Sequence, residues 1–162
     1  MVCPLGAGET FEGVVDLLEE RLVTYDKASN GVKQIYSEIP AELKDKCEEM
    51  RQEMIEAAAE QDEELMNKFF EEGTLSKEEI IKGIRKGCIS RSIMPAFCGT
   101  AFKNKGIQIL LDAVVSYLPS PLDIPAVVDE ADESIVRHAD DNEPLSALAF
   151  DHSNGDFRNH WP

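Results

Sequence analysis

The sequence predicts an α/β fold: a small, mostly antiparallel sheet with covering helices, followed by one further strand and helix. Short segments with strand patterning occupy the chain up to Ile39, and an Asn-Gly pair lies between two of them. Beyond Pro40, apolar residues recur at helical spacing in several separate stretches. A short apolar run, a polar loop and an amphipathic stretch then follow, which is the pattern of a strand leading into a helix.

The strands are expected near the start of the chain. Val2 to Leu5 is a short apolar entry, and Gly13 to Leu18, Arg21 to Tyr25 and Val32 to Ile39 have the composition of strands. Asp26 to Gly31, DKASNG, contains Asn-Gly, a strong hairpin signal. We therefore expect antiparallel pairing of the strands on either side of it.

A helix is predicted from Pro40 to about Glu60, because proline suits a first helical turn. Its apolar face comprises Leu43, Cys47, Met50, Met54 and Ala58. Asp62 is a candidate N-cap for a second, short helix. That helix is expected to point Leu65, Met66, Phe69 and Phe70 inward.

A regular row of carboxylates follows the first of these helices. Its members step by four, three, four and three residues, and they are Glu49, Glu53, Glu56, Glu60 and Glu63. Like charges at this spacing destabilise an isolated helix by roughly 0.2–0.5 kcal/mol per pair, so folding does not require the row. It is either the solvated face of an acidic protein or a docking face for a basic partner.

A third helix is predicted to begin at Ser76, where Ser76 to Glu79 form a capping box ahead of an isoleucine-rich stretch. Gly83 and Gly87 should weaken this helix, which we expect to fray before Arg91. The basic residues here are Lys82, Arg85, Lys86 and Arg91. They complement a helix C-terminus, which makes a phosphate site the weaker interpretation.

Ser92 to Phe97 is predicted to be a buried strand, and a helix is predicted from Ile107 to the proline at position 119. The helix should pack one face on that strand through Ile107, Leu110, Leu111, Val114, Val115 and Leu118. Gly99 to Phe102 lie between them and are small or backbone-dominated. Such a loop can present N–H groups to a flat or anionic ligand, although most strand-to-helix loops bind none.

The C-terminal part has little pattern. The run PSPLDIPAVV should be an extended connector, and Asp129 to Glu143 a mobile acidic link. Leu145 to Phe150 resembles a single strand. The last twelve residues, 151–162, are expected to be disordered, so His152, His160 and Trp161 are not assigned to a metal or aromatic site.

Composition limits the choice of partner. The 162 residues suffice for one sizeable core, and 32 acidic against 16 basic residues give a net charge of −16. This charge disfavours nucleic acid or an anionic membrane and favours a basic protein, although solubility alone would also explain it. Cys3, Cys47, Cys88 and Cys98 form no CxxC pair, and we expect reduced thiols in a soluble, cytoplasmic chain without a signal peptide.

Catalytic motifs are missing from the sequence. It contains no GxSxG, HExxH or Walker-type phosphate loop. Asn104-Lys105 continues as Gly106-Ile107 and lacks the aspartate of an NKxD guanine motif. No catalytic residue and no metal ligand is therefore assigned.

Five segments, taken in order, carry a resemblance to a known family: FEGVVDLLEERL (Phe11 to Leu22), IPAEL (Ile39 to Leu43), IEAAAEQDEELM (Ile55 to Met66), CGTAFKNKG with its helix (Cys98 to Pro121), and RHADDNEPLSALAF (Arg137 to Phe150). Together they cover about residues 1–150 and resemble the elongation factor G family of translational GTPases, which drive ribosomal translocation.

The resemblance implies a domain plan for a fragment of such a factor. Residues 1–91 would be a G-prime-like insertion with its entry strand, and 92–121 the last strand, guanine loop and last helix of the GTPase domain. Residues 122–150 would be a linker and the first strand of a truncated β-barrel domain. Residues 151–162 do not resemble the family.

The resemblance also implies sites. Thr100, Ala101 and Phe102 would face the guanine of GTP or GDP, which the complete factor binds with magnesium. Glu56, Glu60 and Glu63 would contact the C-terminal domain of the ribosomal stalk protein. The isolated chain is expected to hold no nucleotide, because it has no cradle for the phosphates. The alternative from another class is a stand-alone acidic interaction module that never binds a nucleotide.

Overall fold

A four-stranded antiparallel sheet is the centre of the structure, a computed structural model that describes residues 1–26, 28–128 and 136–145. The strands lie in the order of the chain: β1 Val2–Leu5, β2 Gly13–Asp16, β3 Arg21–Tyr25 and β4 Gln34–Ser37. β3 and β4 form the hairpin predicted around Asn-Gly. The predicted α/β class with a small antiparallel sheet is confirmed.

β2 is shorter than predicted because Asp16 turns the chain. Its carboxylate oxygen Oδ1 accepts hydrogen bonds from the backbone N–H groups of Leu18 (3.0 Å) and Glu19 (3.2 Å). These bonds form a local turn that competes with continued strand pairing. Leu17 and Leu18 therefore lie in the β2–β3 connection rather than in the strand predicted to end at Leu18.

Four helices follow the sheet: α1 Ala41–Ala59, α2 Glu63–Glu72, α3 Lys77–Ser90 and α4 Ile107–Tyr117. The predicted caps are present. Asp62 accepts a hydrogen bond from the N–H of Glu64 (3.0 Å), and Ser76 and Glu79 bond reciprocally at 3.3 and 2.8 Å. Capping of this kind satisfies N–H groups that have no partner within the helix.

Both faces of the sheet are covered, because alternate residues of a strand point to opposite sides. Cys3, Val15 and Leu22 pair across three strands and belong to the main core with α1, α2 and α3. Val14 and Val23 are the chain neighbours of Val15 and Leu22, so they point to the other face of the sheet, where they belong to a smaller cluster. The residues that pack against this second cluster include Phe97, Cys98 and Ile109.

α3 continues through Gly83 and Gly87 to Ser90, and its C-cap is Arg91 in the left-handed conformation (φ 63°). The helix thus ends before Arg91, where its end was predicted, and both glycines are contact positions. A Cβ at Gly83 would lie 2.4 Å from the carbonyl oxygen of Ala58 in α1. The missing side chain lets the two helix backbones approach closely.

The predicted buried strand at Ser92 to Phe97 is not present. Residues 92–99 form no strand ladder in the described part of the chain, and Met94 is 87% exposed. A strand requires a neighbour for its backbone groups, and neither edge strand of the sheet, β1 or β4, pairs with this segment. Ile93 instead packs over Gly87.

α4 therefore does not pack on a strand at Ser92 to Phe97, and its predicted core face is wrong. Ala113 and Tyr117 are the buried residues of this helix, whereas the predicted face includes Leu111 at 59% and Val115 at 81% exposure. Arg85 of α3 donates hydrogen bonds to the carbonyl oxygens of Ser116 (3.2 Å) and Leu118 (3.1 Å), which joins the end of α4 to α3. Phe70 of α2, predicted to point inward, is 77% exposed.

The chain divides into two compact units, Met1–Pro119 and Ser120–Pro162. Within the second, the connector turns at residues 121–123 rather than remaining extended throughout. Two short strands, β5 Val127–Val128 and β6 Val136–Arg137, then pair antiparallel. Residues 129–135 of the predicted acidic link lie outside the described residues, as do 146–150 of the predicted strand and the whole of 151–162.

None of the helices in the described ranges has both the length and the apolar character needed to span a bilayer.

Candidate functional site

The carboxylate row lies on the outer side of α1 and continues onto the first residue of α2. All five of its members, Glu49, Glu53, Glu56, Glu60 and Glu63, are exposed. The opposite side of α1 is buried and includes Cys47, Met54 and Ala58. From Glu49 to Glu60 the row extends about 16 Å along the helix axis, at 1.5 Å per residue.

The row is not neutralised by the protein itself. Within residues 1–26, 28–128 and 136–145, none of its five side chains forms an ion pair or a side-chain hydrogen bond. Nearby cations have other partners, for example Arg51 with Glu20 (3.2 Å) and Lys68 with Glu79 (2.7 Å). The row is therefore a continuous anionic strip that faces solvent.

Asp62 lies between the last two members of the row but has a different role. Its carboxylate accepts a hydrogen bond from Lys86 of α3 (2.9 Å), and this bond is the main reason that the pKa of Asp62 is lowered. The same side chain caps α2. The contact joins the α1–α2 turn to α3 at a position between Glu60 and Glu63.

Two residues of the basic cluster of α3 make contacts that hold elements of the fold together. Lys86 pairs with Asp62, and Arg85 binds carbonyl groups at the end of α4. Two of the four basic residues of this cluster therefore bind groups of the protein itself.

The predicted guanine loop is a narrow turn ahead of α4. Thr100 and Lys105 exchange two backbone hydrogen bonds (2.9 and 3.1 Å), and the N–H of Asn104 donates to the carbonyl oxygen of Ala101 (3.0 Å). Ala101 is exposed and Phe102 is fully exposed at 100%. Thr100 is half-buried at the base of the turn.

The tip of the turn presents unused donors. In the described part of the chain, the N–H groups of Ala101, Phe102 and Lys103 donate to no other protein group. Exposed backbone donors of this kind can bind a carbonyl oxygen of a ligand. They provide no cradle for phosphates.

A groove that the sequence did not indicate lies where the β2–β3 connection meets α1. Its volume is about 580 Å³, and it is lined by Leu17, Glu20, Glu38, Ile39, Lys44, Asp45, Cys47, Glu48 and Arg51. Arg51 spans its wall by donating to the carbonyl oxygen of Leu17 (2.6 Å) and pairing with Glu20. No spacing along the chain predicts such a groove, because its walls come from segments that only tertiary folding brings together.

The four cysteines are free thiols. Cys3 and Cys47 are buried, and burial, with a further contribution from Cys3, raises the pKa of Cys47 to about 11. Across the described ranges there is no group of three or more side chains suited to a metal ion. His152, His160 and Trp161 lie outside the described residues.

No protein-family model matches the chain. Among solved structures it is similar to a protein from Thermus thermophilus, with 23% sequence identity and a TM-score of 0.65. The match covers 77% of this chain and 19% of the Thermus chain, so this chain spans about a fifth of the length of that protein. At this identity the similarity shows a shared fold.

Proposed function

We propose that this chain is a fragment of a cytoplasmic factor of the elongation factor G family. It contributes two parts to that factor: an acidic helix face that docks on the C-terminal domain of the ribosomal stalk protein, and a loop on the guanine side of the nucleotide site. The observation that carries the proposal is the exposed, unpaired row on α1 and α2, since its members include Glu56, Glu60 and Glu63.

The electrostatics of the row support a basic partner. Five carboxylates at helical spacing repel one another, and the protein supplies no cation to relieve this repulsion in its described part. A complementary basic surface would relieve it. Such complementarity accelerates association and weakens as salt increases.

The loop supports the nucleotide part of the proposal. The tip from Thr100 to Phe102 leaves the N–H groups of Ala101 and Phe102 free at an exposed position, where they could meet the guanine oxygen in a complete factor. The phosphates and the magnesium ion would be held by parts of the factor outside this chain, because this sequence has no phosphate-binding loop.

The fold similarity is compatible with a fragment. In the Thermus protein the shared fold occupies 19% of a longer chain. DNA immediately upstream of the coding sequence tests this point directly. A phosphate-binding loop and an NKxD motif encoded there would support truncation of a GTPase, whereas their absence would favour the stand-alone acidic module.

Charge reversal tests the docking face. We expect the chain to bind the stalk protein's C-terminal domain in low salt, and the triple variant Glu56→Lys, Glu60→Lys, Glu63→Lys to bind about tenfold more weakly or worse. Titration calorimetry at low and high salt measures both effects. The affinity of the original chain should fall as salt rises.

A matched control separates local from global charge. Glu9, Glu12 and Glu38 are exposed and lie outside α1 and α2, and replacing all three by lysine changes the total charge equally. This control should retain most of the affinity. If the row variant binds as tightly as the original chain, or if both triple variants weaken binding equally, the docking proposal is wrong.

A further inference from the structure

The turn between β3 and β4 touches the loop ahead of α4, although the two are far apart in sequence. Gln108, in the first turn of α4, donates a hydrogen bond through Nε2 to the carbonyl oxygen of Gly31 (3.2 Å). Lys105, at the base of the loop, donates through Nζ to the carbonyl oxygen of Phe11 (2.9 Å). Both bonds are partly buried, which strengthens them relative to bonds in water.

Gly31 also makes direct backbone contact with the loop. A Cβ at this position would lie 2.5 Å from the carbonyl oxygen of Lys103 and 2.7 Å from that of Asn104. Gly31 has a φ of 79°, which an L-residue with a side chain rarely adopts. The close approach of turn and loop therefore depends on glycine at this position.

The turn that supplies this contact is held by its own hydrogen bonds. The N–H of Gly31 donates to the carbonyl oxygen of Asp26 (3.2 Å), and the N–H of Asp26 donates to that of Lys33 (3.0 Å). Ser29 adds two more bonds, from its hydroxyl to the carbonyl oxygen of Asp26 (3.1 Å) and from the N–H of Lys33 to its hydroxyl (3.0 Å). These four hydrogen bonds hold the turn between β3 and β4 in a defined conformation.

The loop has internal bonds that fix its shape, but these do not fix its position on the molecule. The Thr100–Lys105 bridge and the Asn104–Ala101 bond join the turn only to itself, and we expect them to open more often once the turn is released from the rest of the molecule. The contacts at Phe11 and Gly31 are the ones that join it to the residues around the sheet. Their loss would leave the tip without polar anchors to the sheet in the described structure.

We propose that Gly31, Lys105 and Gln108 are positioning residues that hold the loop from Thr100 to Lys105 at a fixed place above the sheet. The assignment of this loop to a purine rests on the proposed function. The positioning itself rests on the contacts above. Residues that connect strands of the sheet would thus hold in place a loop that comes much later in the chain.

Amide hydrogen exchange by NMR tests the positioning on the whole chain. Lys105→Met removes the donor to Phe11 while retaining an unbranched apolar stem. We expect the amides of Thr100, Asn104 and Lys105 to exchange about five- to tenfold faster, the effect of losing one hydrogen bond of about 1–1.5 kcal/mol. Exchange in β2 and β3 should be unchanged, which separates repositioning of the loop from general destabilisation.

Two variants serve as controls for charge and chemistry. Lys103→Met makes the same change in the same loop, and its ammonium has no hydrogen bond or ion pair within the described ranges, so protection should be retained. Lys105→Arg keeps a cationic donor and should restore protection. Gly31→Ala should also accelerate hydrogen exchange of the loop amides. If that variant fails to fold, Lys105→Met still tests the positioning.

The outcomes distinguish this inference from the proposed function. Unchanged exchange in Lys105→Met, or equal acceleration in Lys103→Met, overturns the positioning even if the carboxylate row binds the stalk domain. Selective acceleration in Lys105→Met that Lys105→Arg reverses supports it, even if charge reversal of the row leaves stalk binding unaffected. In every case, Lys105→Met should bind the stalk domain as the original chain does.

Discussion

Gly83 shows how one missing side chain allows two helices to pack. Helix propensity alone predicts that alanine would be better than glycine in the interior of α3 by about 1 kcal/mol. In the folded chain a Cβ at this position would lie 2.4 Å from the carbonyl oxygen of Ala58. Backbone cannot move aside as a flexible side chain can, so the tertiary contact outweighs the propensity.

We therefore expect Gly83→Ala to destabilise the protein by about 1–3 kcal/mol, the usual cost of overpacking. Urea unfolding followed by circular dichroism measures this change. Gly87→Ala is the matched comparison, because there the new Cβ would meet the side chain of Ile93, which can shift. Gly87→Ala should cost less, and a stabilised Gly83→Ala variant would contradict the proposed packing of α1 on α3.

At the scale of elements, the α2–α3 junction is held by one glutamate. Glu79 accepts a hydrogen bond from the ammonium of Lys68 in α2 (2.7 Å) and another from the N–H of Ser76 (2.8 Å). These bonds, with that of Lys68 the largest, lower the pKa of Glu79 to about 2. The carboxylate thus connects the two helices and also completes the capping box of α3.

The sign of the pH dependence follows from this lowered pKa. The unfolded chain binds a proton at Glu79 near its usual pKa of 4.5, and the folded chain does so only near 2. The contribution to stability is therefore complete above about 4.5 and is lost as the pH falls toward 2. Glu79→Gln should be less stable than the original chain at neutral pH, and the difference should shrink as the pH falls from 4.5 through about 2.

Urea unfolding across this pH range measures the Glu79 effect. Glu78→Gln is the control, since Glu78 lies in the same helical turn but has no hydrogen bond or ion pair in the described part of the chain. Its effect should be smaller. A difference for Glu79→Gln that persists unchanged to pH 2 would contradict the assigned bonds.

At the scale of the whole molecule, α4 leaves an apolar face uncovered. Leu110, Leu111, Val114, Val115 and Leu118 are between 41% and 81% exposed. Soluble proteins rarely leave contiguous apolar patches without a use, and such patches promote association. These residues were predicted to pack on a strand at Ser92 to Phe97, and no such strand is present in the described chain.

We expect Val115→Lys with Leu111→Lys to reduce binding of the dye ANS and to reduce self-association in analytical ultracentrifugation. Stability should change by no more than about 0.5 kcal/mol per substitution, since both side chains are exposed. Ala113→Lys is the contrast on the same helix, because Ala113 is buried and the lysine would be forced into the core. Equal loss of stability in both variants would mean that the exposed face is covered.

The chain as a whole should not hydrolyse GTP. Its sequence contains no phosphate-binding loop and no NKxD motif. Phosphate release from purified protein should remain at background. Hydrolysis above background that Thr100→Ala abolishes would show that this expectation is wrong.

The sequence correctly predicted the elements that depend on interactions between neighbouring residues in the chain. The capping residues Asp62 and Ser76 marked the starts of α2 and α3, and Asn-Gly marked the β3–β4 hairpin, because each acts on backbone groups within a few residues. The exposure of the carboxylate row was also predictable, since helical spacing places it opposite the apolar face.

By itself, the sequence determined which segments become helices and hairpins and which side of α1 is charged, because these depend on periodicity and on neighbours in the chain. Only the tertiary structure decided that Ser92 to Phe97 has no strand partner, that α4 buries Ala113 and Tyr117, and that Gly31 supports a loop far along the chain. Each of these depends on which distant backbone lies alongside. A pattern of apolar residues shows that a surface needs a partner, but it does not say whether this chain provides one.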